Sequence, residues 1–342
     1  GSVDFNFSQM VNFAQHKKAV RGGDISFNGI YALNAKTGQT LWHYGTTGET
    51  MPTPVVKHGR LYFATGSGHV HCINATTGQS IWNTALPGFD NMSSPTVLHG
   101  KVFVSMAEPG YLYCLNAQTG HIEWKVSVPG VVNTGMGDVS PAVADHIAVM
   151  DSIADPRTIH GKKTVNTVLF AVDTKTGKVI WKHLMGRGPL PPAFKGGVPM
   201  IDHHTIFVGS PTTSNYEAYT LKTGHLLWSL PIPLSGAAGA GRGAATEYQG
   251  MLYISSGPIV YAVNPANGQT LGADWIGGRF GIVNPVIVGG TMYLDNTWDW
   301  IIAVPLWKIY PGYRTSYNPV RMHKTPYNNP KRKGVHLNHM AP

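Results

Sequence analysis

Asp138, Lys195, Arg242 and Arg279 are the residues best placed to do chemistry together. Charged residues make up only 13% of the 342-residue chain, so their recurrence beside one kind of segment is a concentration. The segments are Met51-Pro-Thr-Pro54, Met92-Ser-Ser-Pro95, Asp138-Val-Ser-Pro141, Gly196-Gly-Val-Pro199, Arg242-Gly-Ala-Ala245 and Ile282-Val-Asn-Pro285, aligned on a repeated proline. At one equivalent position they read Met, Met, Asp, Gly, Arg, Ile, so Asp138 and Arg242 break an otherwise apolar or small series. Lys195 and Arg279 lie close by in sequence. Cations in this arrangement would hold an anionic ligand. A carboxylate in a partly desolvated cavity has a raised pKa and can donate or accept a proton. The same charges would serve equally as an ion pair sealing the cavity. Glycines crowd these segments (Gly135, Gly137, Gly196, Gly197, Gly236, Gly239, Gly241, Gly243), which suits either close approach to a ligand or tight turns.

Other candidates carry less. His69-Val-His71 puts two imidazoles on one strand face without a recognisable third ligand, so a surface strand is expected and no metal. His203-His204 falls at a turn, and His336 and His339 lie in the tail. Asn74-Ala-Thr and Asn91-Met-Ser are formal glycosylation sequons, and Trp298-Asp-Trp300 offers aromatic surface. Cys72 and Cys114 occupy a slot that is Ala in other copies of the repeat described next, which makes them small buried side chains rather than a disulfide.

The elements that must position these residues repeat. Ala32-Leu-Asn-Ala-Lys-Thr-Gly-Gln-Thr-Leu-Trp42 recurs at 72–82, 114–124, 171–181 and 218–228; a copy at 262 has Gly272 in place of Trp, and one at 303–309 is degenerate. Spacings of 40, 42, 57, 47 and 44 residues between the turn glycines indicate a propeller or solenoid. The unit reads as a hairpin: a strand, in most copies an Asn or Asp that bonds the turn backbone, a Gly supplying positive φ, and a strand that ends on Trp in the five full copies. The Trp covers the seam with the next unit, so one hairpin buries its apolar face only by stacking. Two further strands precede each hairpin, as in Thr53–Lys57 and Arg60–Ala64 joined by His58-Gly59, giving four-stranded blades. In such a fold the aligned segments lead into the innermost strands and form a mouth. The longest spacing contains an insertion at 153–166, expected as a loop on the working face.

The repeat resembles the tryptophan-docking motif of the quinoprotein (PQQ-type) β-propeller superfamily over residues 29 to 310. That resemblance implies an all-β, single β-propeller of four-stranded blades. Seven motifs are countable, and eight blades are favoured, with residues 1–28 and the tail supplying the remainder. The domain reading is a propeller over 1–310 and a basic Pro/Asn/Tyr-rich tail over 311–342. Within the superfamily the chain is similar to the tetrathionate hydrolases of acidophilic sulfur oxidisers. This implies a secreted or periplasmic hydrolase acting on a sulfur-chain dianion, with Asp138 acting on the S–S bond and Arg242, Lys195 and Arg279 holding the sulfonates. The alternatives are a non-catalytic scaffold resembling the propeller lipoprotein of outer-membrane assembly, and a quinoprotein dehydrogenase. The last is disfavoured because the adjacent cysteines such enzymes carry over the quinone are missing, so no cofactor is expected.

Composition agrees with an extracytoplasmic setting. Seventeen acidic residues face 26 basic ones, for a net charge of +9, and few carboxylates means few charges lost in acid. The tail alone holds six basic and no acidic residues, leaving +3 for the rest. The cationic balance favours a small anionic substrate. Nothing resembles a nucleic-acid module. No apolar run reaches membrane-spanning length, and no signal peptide is visible. The tail or the 153–166 insertion would supply a contact between subunits in a homo-oligomer.

Overall fold

The turn chemistry of the repeat forms as its sequence dictates. Asn34 Oδ1 accepts from the backbone N–H of Lys36 and Thr37 at 2.9 and 3.1 Å, and Asn74, Asn116 and Asp173 accept likewise at their own turns. The turn glycines Gly38, Gly78, Gly120, Gly177, Gly224 and Gly268 all have φ between 65° and 73°. A computed structural model describes residues 29–46, 50, 52–87, 93–106, 110–127, 139–190, 197–232, 243–280, 284–295 and 301–310.

Two compact units divide the chain, Gly1–Pro156 with Val168–Lys182, and Arg157–Thr167 with His183–Pro342. In the first, β1 (Gly29–Leu33) and β2 (Thr40–Gly45) form a two-stranded antiparallel sheet. A four-stranded sheet follows in chain order: β3 (Val55–Lys57), β4 (Arg60–Thr65), β5 (His69–Asn74) and β6 (Ser80–Ala85). The next is β7 (Thr96–Leu98), β8 (Lys101–Met106), β9 (Tyr111–Asn116) and β10 (Ile122–Val126). The fourth sheet is β11 (Ala142–Ala144), β12 (Ile147–Ile159), β13 (Lys162–Asp173) and β14 (Val179–Pro189). Its far ends, 157–167 and 183–189, belong to the second unit.

The second unit continues with β15 (Met200–Asp202), β16 (Thr205–Gly209), β17 (Asn215–Thr220) and β18 (Leu226–Pro231). Two three-stranded sheets follow: β19 (Thr246–Tyr248), β20 (Met251–Val263) and β21 (Thr270–Phe280), then β22 (Val286–Val288), β23 (Thr291–Asp295) and β24 (Ile301–Pro305). One helical turn, α1 (Leu306–Ile309), ends the described chain. Seven sheets of propeller-blade type are thus described, four of them with four strands. The segments expected to supply an eighth lie outside the described residues.

Neighbouring sheets dock through the repeat's Trp and Gly. A Cβ on Gly78 would lie 2.8 Å from the Trp42 ring, on Gly120 2.7 Å from Trp82, on Gly177 2.9 Å from Trp124, and on Gly268 2.7 Å from Trp228. Each indole therefore lies flat on the next sheet's turn, where only glycine leaves room. Trp82, Trp124 and Trp228 also donate Nε1–H to the carbonyls of Ala117, Thr174 and Pro265 at 3.2, 3.0 and 2.8 Å. Apolar residues of successive sheets fill the seams, for instance Val70, Val104, Tyr113 and Leu115. Gly272 interrupts the series for a steric reason. A Cβ there would sit 1.9 Å from Ile309 O, because α1 replaces the Lys-Thr-Gly turn and its backbone occupies the indole's place.

The 153–166 insertion is not a loop. It lengthens β12 and β13 to 13 and 12 residues, where β4 and β5 have six, and closes on a two-residue turn with His160 and Gly161 at φ 48° and 75°. Inner strands turn in the same way: His58-Gly59 and His99-Gly100 have φ 50°/72° and 48°/74°, a type I′ geometry matching strand twist.

Candidate functional site

The proline-aligned segments form a ladder in the described structure. Thr53 N–H donates to Ser94 Oγ at 2.9 Å, Ser94 N–H to Ser140 Oγ at 2.9 Å, and Ala244 N–H to Asn284 Oδ1 at 2.7 Å. Each bond joins the residue before the aligned proline position in one sheet to the same residue in the next. The sequence register is therefore correct in both units, and the inner strands β3, β7 and β11 lie side by side, as do β19 and β22.

The ladder clamps the chain that follows Asp138. Val139 is fully buried, and its carbonyl accepts from Ser93 Oγ at 3.1 Å and Ser105 Oγ at 2.7 Å. Ser105 N–H returns to Ser93 Oγ at 3.2 Å, and Thr96 Oγ1 donates to Pro141 O. Two serines of one sheet thus hold the segment that leads into the next. Asp138, Lys195 and Arg242 themselves lie outside the described residues. Arg279 lies on β21, with its side chain outside them.

One of the mouth glycines has a packing role. A Cβ on Gly197 would meet Gly209 O of its own sheet at 2.1 Å, so this residue keeps two strands close rather than opening space for a ligand. The histidine pair departs from the surface-strand expectation. His71 is buried, stacked on Phe63 with centroids 4.7 Å apart, and its Nδ1 lies 3.3 Å from Tyr44 Oη. Burial, with His69 nearby, pushes its pKa down to about 4. His69 Nδ1 lies 2.8 Å from Asn83 Oδ1. Among the described residues no group of three or more His, Cys, Asp or Glu is arranged to hold a metal. His203-His204 is an exposed turn, as expected, with Asp202 2.7 Å from His203 Nδ1. Asn74 spends its side-chain oxygen on the Thr76 and Thr77 amides. Asn91, Trp298, Trp300, His336 and His339 lie outside the described residues. Cys72 and Cys114 are free and buried, and burial raises the Cys114 thiol to about 12. Sited in β5 and β9, they do not form the adjacent pair associated with quinone binding.

Sequence reading missed two carboxylates, Asp151 and Asp274, both fully buried. Asp side chains are rarely buried unless paired. Asp151 is the fifth residue of β12, and strand register makes it the counterpart of Ser105 in β8, the residue that clamps Val139. Counting from the inner-strand turn, rather than only toward the proline, is the signal that would have found it. Glu217 is also buried and accepts from Tyr219 Oη and from Ser229 Oγ, the latter at 3.0 Å.

Comparison with known proteins adds to this geometry. Residues 26–183 and 162–293 match the family described as outer membrane protein assembly factor BamB, a PQQ-type repeat. A protein named tetrathionate hydrolase from Acidithiobacillus ferrooxidans is 51% identical over 313 residues, covering 91% of this chain and 62% of its own length. Another of that name from Acidianus ambivalens is 41% identical over 336 residues, covering 92% of this chain and 61% of its own. The chain thus spans about three fifths of the length of these relatives. Among solved structures, BamB from Moraxella catarrhalis superposes with a TM-score of 0.57 at 18% identity, over 81% of this chain and 82% of that one. Quinohemoprotein alcohol dehydrogenase from Comamonas testosteroni gives 0.56 at 16% identity, over 73% and 52%. At such identities these structures speak for the propeller fold alone.

Proposed function

The chain belongs to the PQQ-type repeat family described as outer membrane protein assembly factor BamB, and from that premise we propose that it works as a tetrathionate hydrolase. The observation that carries the reading is 51% identity to a protein of that name over 91% of the chain. The reaction consumes one tetrathionate and one water and yields one thiosulfate, one sulfate, one sulfur atom and two protons. Asp138 moves the proton between water and the sulfur chain, and Arg242, Lys195 and Arg279 hold the terminal sulfonates. Support for Asp138 comes from its neighbour Val139, whose carbonyl is fixed by two serine hydroxyls, since a catalytic group needs a rigidly held backbone. The low acidic content supports work in an acidic extracytoplasmic space. No described helix is long and apolar enough to cross a membrane. Within this reading residues 1–310 form the propeller and 311–342 a basic tail, and a homo-oligomer would form through the tail or the β12–β13 extension.

A second reading, a scaffold without catalysis, is favoured by the family's description. Thiosulfate release from tetrathionate, followed at acid and neutral pH, separates the two. We expect turnover in acid that is lost in Asp138→Asn while the melting temperature is kept. A well-folded protein that releases no thiosulfate at any pH would remove the hydrolase reading and leave the scaffold.

A further inference from the structure

The far ends of β12, β13 and β14 are more than the blade needs, and their chemistry is one-sided. Residues 157–167 and 183–190 contain Arg157, Lys162, Lys163, Arg187 and two histidines but no Asp or Glu. Asp155, on the same strand, is the nearest acidic residue in sequence. His160, Lys162 and Lys163 are exposed at the hairpin tip.

The extension is firmly mounted. Thr164 Oγ1 donates to Arg157 O at 3.1 Å, the Arg187 guanidinium donates to Thr164 Oγ1 at 3.0 Å, and Leu190 N–H donates to Lys163 O at 3.1 Å. It rests on the turn between β16 and β17. Thr212 Oγ1 donates to Gly186 O at 2.9 Å and lies 2.8 Å from Thr167 Oγ1. A Cβ on Gly188 would sit 1.8 Å from Thr212 O, so the backbones touch. That turn is at the end of the fifth sheet where Gly209 meets Gly197, the segment that follows Lys195. The base of the extension thus lies at the lead-in end of the sheet, and the basic tip projects beyond it.

We propose that the exposed tip carrying Lys162 and Lys163, on alternate faces of β13, with Arg157 beside them in the hairpin, recruits small multiply charged sulfur oxyanions by its field. The tip attracts the dianion by charge and raises its local concentration at the protein surface. This inference rests on the hydrolase reading, which it deepens by assigning a recruiting surface. A cluster of like charge at a cleft raises association rates on the order of tenfold or more, and salt erases the gain.

The test compares wild type with Lys162→Glu/Lys163→Glu and with Lys162→Arg/Lys163→Arg. Pyrenetetrasulfonate binding is read by fluorescence anisotropy, and kcat/KM for tetrathionate is read across ionic strength. We expect the Glu variant to lose about tenfold in kcat/KM at low salt, with kcat within about twofold, to flatten the salt dependence, and to lose dye affinity; the Arg variant keeps all three. A Glu variant with wild-type kcat/KM, salt slope and dye affinity overturns the proposal and leaves the hydrolase reading standing. Dye binding that depends on Lys162 and Lys163, in a protein that releases no thiosulfate, would establish the anion site and remove the hydrolase reading instead.

Discussion

His71 makes the fold pay for acid. Its ring is 6% exposed, flat against Phe63 and beside the Tyr44 hydroxyl, and its pKa lies near 4 against an ordinary 6.5. Because the folded-state pKa is the lower one, the unfolded chain binds the proton more tightly. Stability from this site is complete above pH 6.5, falls as pH drops through the window from 6.5 to 4, and levels off below it. At 1.36 kcal/mol per pKa unit the loss is about 2 kcal/mol at pH 5 and about 3 kcal/mol below pH 4. His71→Phe keeps a flat ring and removes the titration, at a cost of about 1 kcal/mol for the forfeited Tyr44 contact. The two proteins should therefore have similar melting temperatures at pH 7.5. The variant should gain on wild type steadily as pH falls, reaching a lead of roughly 3 °C at pH 4 for a chain of this size, from a net of about 2 kcal/mol. Melting curves that run parallel from pH 7.5 to 4 would refute the reasoning, because the other titrating groups are common to both proteins.

The Trp–Gly seams give a second prediction. Gly120→Ala drives a methyl into Trp82 and Thr84 at a turn with positive φ, and should cost about 2–4 kcal/mol by denaturant unfolding. Gly38→Ala, with the same φ and no described atom within 4 Å, should cost only about 1 kcal/mol; equal costs would mean that the indole does not set the constraint. Ser105→Ala removes one of the two hydroxyls on Val139 O and should cost about 1–2 kcal/mol in stability. It should also lower kcat for thiosulfate release, since the carbonyl it frees adjoins Asp138, and an unchanged kcat would count against that residue's role.

The repeat was legible because every part of it is local. Asn, Thr-Gly and Trp at fixed offsets set the turn hydrogen bonds, the positive φ and the docking ring, and the Trp of one copy meets the Gly of the next. The proline alignment was legible for the same reason, and the ladder from Thr53 to Ser94 to Ser140 confirms its register. Local pattern misled at the 153–166 insertion, where a stretch without apolar alternation adds to strands β12 and β13 because it pairs and rests on the Thr212 turn.

Sequence alone determined the all-β blade architecture, the two buried free cysteines and the register of the proline-aligned segments. Tertiary structure decided what covers each residue. It buried His71, which alternation alone places no deeper than His69, and it explained Gly272 by the backbone of α1 and Gly197 by the carbonyl of Gly209. It also enclosed Asp151 and Asp274 completely. Turn and strand preferences act within a few residues and are written at fixed spacing. Burial and pKa depend on atoms that other strands bring together, such as Phe63 and Tyr44 around His71, which no single stretch of the chain encodes.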